Sequence, residues 1–106
     1  MSQLPKPYQQ FHQDHPDIYQ AYEKLGEVTA ESGPLDIKTR ELIKLGMAAA
    51  MKSESAVQSH THRALEAGVT AAEIEHALRL GINIYGFSTM MTALSWAKQA
   101  IGNHAK

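Results

Sequence analysis

Apolar residues recur at three- and four-residue steps along most of the chain, and no stretch alternates apolar with polar. That period predicts helices and no strands. The first stripe is Ile18, Ala21, Tyr22, Leu25 and Val28. It predicts a helix over 17–32, opened by Pro16 at a favoured first helical position and stopped by Gly33 and Pro34. Asp36 is the expected N-cap of a second helix. That helix carries Leu42, Ile43, Leu45, Met47, Ala48, Ala49, Ala50 and Met51, with its charges, Lys38, Arg40, Glu41 and Lys44, confined to its start. A helix without a polar face at one end is expected to be covered on all sides there, and in so small a domain the extra cover is expected from a second subunit. Lys52 and Ser53 make a short polar turn, Ser53 caps a helix over 54–67, and Gly68 ends it. Thr70-Ala71-Ala72-Glu73 has the spacing of a capping box and opens a helix with Ile74, Ala77, Leu78, Ile82 and Tyr85 as its buried stripe. Gly86 breaks it. Ser88 is the expected cap of a last helix bearing Met91, Leu94, Ala97 and Ile101, with Trp96 alongside.

The expected fold is therefore all-α, a compact subunit of about five helices. Residues 1–16, with Pro5, Pro7 and several glutamines, are expected to form an extended arm that Tyr8 and Phe11 tack onto the body or onto a neighbouring subunit. Residues 17–106 form the single helical domain.

Composition narrows the function. The chain has 106 residues, which suits one domain, and a formal net charge of −1. That charge, with no basic run, is a poor match for nucleic acid. There are no cysteines, which removes disulfides, thiolate nucleophiles and Cys-based zinc sites. The polar first residues lack the apolar core of a signal peptide, and no apolar run is long enough to span a bilayer. A cytoplasmic protein without membrane contact is expected.

The constellation able to carry chemistry lies in the hairpin over 41–68. Glu41 and His60 suit an acid/base pair, in which the carboxylate holds the imidazole in one tautomer and the imidazole moves a proton. Glu41 lies eleven residues before Lys52 and His60 eight after it. In a strictly antiparallel hairpin at about 1.5 Å per residue the two miss by roughly one turn, so a crossing angle or a bridging water has to close the gap. The plainer reading pairs Glu41 with Lys38 or Lys44 on its own helix and leaves His60 as a hydrogen-bonded core residue. Ser53 suggests a nucleophile completing a triad, but it lies two turns from His60, no nucleophile elbow is present, and capping explains it. Arg63 suits a substrate carboxylate, against a surface pair with Glu66. Tyr85, Phe87, Met90 and Met91 are candidates to line a pocket near His60, against plain core or interface.

No metal site is expected. His60 and His62 point to nearly opposite faces of one helix. His12 and His15 share a polar arm, and Glu73-x-x-His76 is half of a di-iron pattern whose glutamate the capping box already uses. No cofactor is expected.

The order of LDIKTRELIKLGMAAAM, HTHRALEAGVTAAEIEHAL and INIYGFSTMMTAL resembles the alkylhydroperoxidase D-like / carboxymuconolactone decarboxylase-like superfamily, with H-x-x-R-A-L-E-A-G-V-T-x-x-E-I the most specific part. The resemblance implies small helical subunits assembled into trimers or hexamers. In the redox branch a Cys-x-x-Cys pair has a glutamate twelve residues before it and a histidine four after. Carried across, these positions are Glu41 and His60, while the cysteine positions hold Ser53 and Ala56. Thiol peroxidase activity is accordingly expected to be lost. The decarboxylase branch works without the cysteine pair and implies a lyase or isomerase acting on a carboxylated or lactone-like small molecule. In that enzymatic reading His60 is the catalytic acid/base, Glu41 orients it and Ser53 supplies a hydrogen bond; the branch's substrate contacts are not legible in these residues, and Arg63, Tyr85, Phe87 and Met91 stand as the substrate-contact candidates named above. The alternative is an oligomeric relic that binds a ligand or holds a structural place without turnover.

Overall fold

How each helix ends explains how the chain turns back on itself. At the end of α3 (Ile37–Ala50), the Ser53 N–H donates to the Ala48 carbonyl and the Lys52 N–H to the Ala49 carbonyl. This is a Schellman closure, with Lys52 in the left-handed position at φ 56°. A glycine would hold that position without strain, and a side chain there costs about 1–2 kcal/mol. Ser53 also caps α4 (Glu54–Glu66), its hydroxyl accepting from the Ala56 N–H at 3.3 Å. One residue thus closes α3 and opens α4. The same closure ends α4, with Gly68 at φ 95° and the buried Val69 as its apolar residue. The expected capping box opens α5 (Ala71–Arg79): the Thr70 N–H donates to Glu73 Oε1 at 2.9 Å and the Glu73 N–H to Thr70 Oγ1 at 3.1 Å.

The computed structural model describes residues 6–104; the first five residues of the expected arm, Pro5 included, lie outside them. Among the described residues there are six α-helices, one 3-10 turn and no strand. The contacts group the chain into two compact units, Met1–Asp36 and Ile37–Lys106.

In the first unit, 6–14 are helical where an extended arm was expected. They form α1 (Lys6–Asp14), which is followed by α2 (Pro16–Ala30). Pro7 lies in the first turn of α1, where its missing N–H costs nothing, and Gln10 Nε2 donates to Asp14 Oδ1 one turn on, at 2.9 Å. Tyr8 and Phe11, expected to tack the segment down, are exposed. The stripe read for α2 is not buried in this chain: Ile18, Tyr22, Leu25 and Val28 are each more than half exposed. Within the unit α2 has one partner helix, and the residue buried is Tyr19, stacked on His12 at 4.4 Å between ring centres.

The second unit holds α3, α4, α5, a 3-10 turn (Leu80–Asn83) and α6 (Phe87–His104). Its core is Leu45, Ala48, Ala49, Val57, Ala64, Val69, Ile74, Leu78, Ala93 and Ala97. The heaviest packing is of α3 on α4 and of α4 on α6. Three expectations shift here. Ile82 is exposed, because the 3-10 turn changes the helical register after Arg79. On α6 the fully buried face is Met90, Ala93, Ala97 and Ala100; of the expected residues Ala97 is buried, Leu94 and Ile101 are half-buried against the core, and Met91 is exposed. Ser88, expected as its cap, is the second residue of α6; the carbonyl of Gly86 instead accepts from the Met90 N–H. Gly81 lies beneath the Tyr85 ring, whose hydroxyl donates to the Leu78 carbonyl at 2.6 Å, and a Cβ on Gly81 would fall inside that ring.

Two glycines therefore respond in opposite senses to alanine. Gly81→Ala is expected to destabilise by about 1–3 kcal/mol, because Tyr85 must leave its hydrogen bond. Gly46→Ala in α3, where an added Cβ meets nothing within 4 Å, is expected to stabilise by about 0.5–1 kcal/mol. Urea denaturation midpoints of the two variants check this.

Candidate active site

Glu41 lies in the second turn of α3 and His60 in the middle of α4. The crossing of the two helices closes the one-turn gap: His60 Nδ1 lies 2.9 Å from Glu41 Oε1, with no bridging water needed. Both are largely removed from solvent, with 19% of the His60 side chain and 12% of the Glu41 side chain exposed. The plainer pairing, Glu41 with a lysine of its own helix, is not what forms. Lys44 acts on Glu41 through its charge alone, as does Arg63 from α4.

Burial works against an ionised Glu41, but the hydrogen bond and charge of His60, then the charges of Lys44 and Arg63, outweigh it and hold its pKa below the ordinary 4.5. An ionised carboxylate only accepts, so Nδ1 of His60 carries the proton and donates. That leaves Nε2 as the ring nitrogen without a hydrogen-bond partner among the described residues. In the neutral ring Nε2 carries a lone pair. The arrangement can take a proton at Nε2 and give it back while Glu41 stabilises the cation that forms in between.

The other candidates fall into separate places. Ser53 is used as the double cap described above. Arg63 is exposed on α4, close enough to act on Glu41, and has no ion pair among the described residues. Tyr85 spends its hydroxyl on the Leu78 carbonyl, while Phe87 and Met91 are exposed at the start of α6. None of these three joins the groups acting on Glu41. An open cavity of about 170 Å³ is lined by Lys52, Ser88, Thr89, Thr92 and Trp96, and His60 is not among its walls. His60 and His62 diverge as their spacing predicts: His62, buried, meets His104 of α6 with their Nδ1 atoms 3.0 Å apart. That contact spans 42 residues, and no sequence spacing signals it. Among the described residues no three possible metal ligands come together, and no helix is long and apolar enough to cross a membrane.

The chain matches the carboxymuconolactone decarboxylase family over residues 16–99. It belongs to that family. Among its relatives, an uncharacterised protein of Methanocaldococcus jannaschii is 31% identical over 76% of this chain and 78% of its own length. An uncharacterised protein of Haemophilus influenzae is 38% identical over 59% of this chain, and the match spans only 56% of that relative. The fold is shared with a carboxymuconolactone decarboxylase family protein of Legionella pneumophila, solved in its apo form, at a TM-score of 0.77 and 22% identity, over 92% of this chain and 86% of that one. It is also shared with a candidate carboxymuconolactone decarboxylase of Burkholderia xenovorans, at 0.70 and 24%, over 96% and 83%. At these identities the structural likeness speaks for the fold. In this chain the candidate site holds a histidine–carboxylate pair and no sulfur nucleophile.

Because its pKa is lowered, Glu41 contributes stability that is complete above pH 4.5 and is lost as pH falls through the depressed value. Glu41→Gln is expected to cost about 1–3 kcal/mol near neutrality, by weakening a part-buried charged hydrogen bond. It is also expected to flatten the acid side of the stability curve below pH 4.5. Chemical denaturation of both proteins across that range measures the difference.

Proposed function

We propose that this chain is a small-molecule enzyme that uses His60 as general acid/base and Glu41 as its orienting partner, in a decarboxylation or isomerisation of a carboxylated or lactone-like substrate. The observation that carries the reading is the 2.9 Å hydrogen bond between His60 Nδ1 and Glu41. It leaves Nε2 the working nitrogen of a ring that still reaches solvent. Lys44 and Arg63 supply positive charge on the same side as Glu41, which suits an anionic substrate. In a decarboxylation, the carbon–carboxylate bond breaks and carbon dioxide leaves. The electron pair stays on the substrate as an enolate, and protonated His60 delivers its Nε2 proton to that carbon. In an isomerisation Nε2 removes a proton from one carbon and returns it to another. Arg63 holds the remaining carboxylate, and Ser53, whose oxygen already caps α4, keeps a hydroxyl proton to donate. Tyr85, Phe87 and Met91 border the substrate in this reading once a second copy covers the exposed pair. Thiol-dependent peroxide reduction is lost, since a chain without cysteine has no thiolate to attack the peroxide.

A non-catalytic oligomer is the second reading. It is favoured by the cavity between Lys52 and the first half of α6, which His60 does not line. A panel of carboxylated lactones assayed for carbon dioxide release and for double-bond migration separates the two. The enzymatic reading expects turnover that falls by roughly 10²–10⁴ in His60→Gln, with a raised KM and a smaller change in kcat in Arg63→Ala. No turnover across the panel, or turnover indifferent to His60, favours the second. Peroxide consumption with a thiol reductant is expected to stay at background, and clear consumption overturns the assignment.

Self-association into a trimer or hexamer belongs to the same proposal. Ile43 and Met47 of α3 and Met51 just past its end are four residues apart and exposed, Met51 by 78%. An apolar stripe of this kind suits a protein partner better than water. Sedimentation is expected to give a mass several times that of one chain, and Met47→Glu to reduce it. A wild-type monomer at micromolar concentration would sink this part of the reading.

A further inference from the structure

His62 and His104 lie outside the proposed active site, and their geometry is specific. The Nδ1 atoms are 3.0 Å apart and the ring centres 5.2 Å apart. The second distance is nearly the first plus two ring radii, so the nitrogens face each other head-on. A metal ion held by both would need the nitrogens to converge on a third point, and none of the described residues completes such a set. Head-on nitrogens at this distance share a proton instead: one ring donates its Nδ1–H and the other accepts through its lone pair.

We infer that His62 and His104 form an acid-opened clasp, which fastens the last turn of α6 to α4 while the two rings share a single Nδ1 proton and releases that turn when a second proton arrives. With both rings protonated, two N–H groups would meet with no acceptor between them and two positive charges would lie in contact. Burial in the first place, then the charge of His104, lowers the pKa of His62 below 6.5, and Glu66 of α4 opposes this. The charged groups acting on His62 are thus His104 from α6 and Glu66 from its own helix; the described charges of α3 and α5, the other helices packed on α4, contribute none. A lowered histidine pKa means that the clasp's contribution is complete above pH 6.5 and is lost as pH falls from there toward the depressed value.

The opening has a defined extent. Ala93, Ala97 and Ala100 bury α6 without any titrating group. Gln58 on α4 donates to Gln99 on α6 at 3.0 Å, a contact that acid leaves intact. Ile101 also packs against the core, so only 102–104 lie beyond these anchors and depend on the histidines.

Hydrogen–deuterium exchange on the full chain between pH 7.5 and 5.5, corrected for intrinsic exchange, tests this. Amides of 102–104 are expected to lose protection relative to 93–97 below pH 6.5, at up to roughly tenfold per pH unit, the slope of a one-proton linkage. In His104→Gln that extra slope is expected to vanish. Unchanged wild-type protection over the range, or an equal loss in His104→Gln, overturns the clasp. Imidazole nitrogen NMR of the wild-type protein gives an independent check at pH 7.5: one of the two Nδ1 atoms carries a proton and the other does not. Two unprotonated Nδ1 atoms would overturn it as well.

Discussion

The close approach of α3, α4 and α6 is the constraint from which the rest follows, and small side chains make it possible. Ala48 and Ala49 on α3, Ala64 on α4, and Ala93, Ala97 and Ala100 on α6 are all buried. Alanines at a helix contact shorten the distance between axes toward the lower end of the usual 8–10 Å. At that separation two polar side chains on facing helices meet directly. Larger residues would hold the helices apart and leave Glu41 and the histidines to water. Short connections reinforce the constraint, because Ser53 ends one helix and begins the next with no residue to spare.

Close packing also decides the electrostatics. Glu41 is buried enough that its ionisation has to be supported, and His60, Lys44 and Arg63 support it. His62 is buried beside another histidine, and its ionisation is opposed. Two histidines two residues apart on one helix thus receive opposite surroundings: His60 faces a carboxylate on α3 and His62 a second imidazole on α6. One is suited to moving a proton and the other to holding one in place. No buried side-chain polar atom among the described residues lacks a hydrogen-bond partner, so neither pair is an accident left unsatisfied by the fold.

Membership of the carboxymuconolactone decarboxylase family gives these residues a shared scaffold, and the absence of cysteine limits what the scaffold can do here. In the proposed chemistry the imidazole is the reactive group. The positions that the redox branch of the resembling superfamily fills with cysteine hold a helix cap, Ser53, and a half-buried alanine, Ala56. The structural work of that turn is kept.

Local signals were sufficient for much of the fold. The Ser53 cap, the Gly68 stop and the Thr70–Glu73 capping box each depend on residues within five positions of one another, so the chain states them by itself. The Glu41–His60 pair was legible as a candidate from residue chemistry and family resemblance, while spacing alone favoured the plainer pairing of Glu41 with a lysine of its own helix. What spacing did not set was contact, since a straight hairpin misses by a turn and only the crossing of α3 and α4 brings the atoms to 2.9 Å. The α2 stripe was misjudged because periodicity marks an apolar side without saying whether anything packs on it. On α6, which packs on several elements, periodicity found Ala97 but not which of its neighbours lie deepest. The His62–His104 contact left no local trace, being made of residues 42 apart. Helix boundaries and caps are short-range hydrogen bonds that the sequence writes down. Which polar groups meet in the core is set by helix separation and crossing, and only the folded packing decides those.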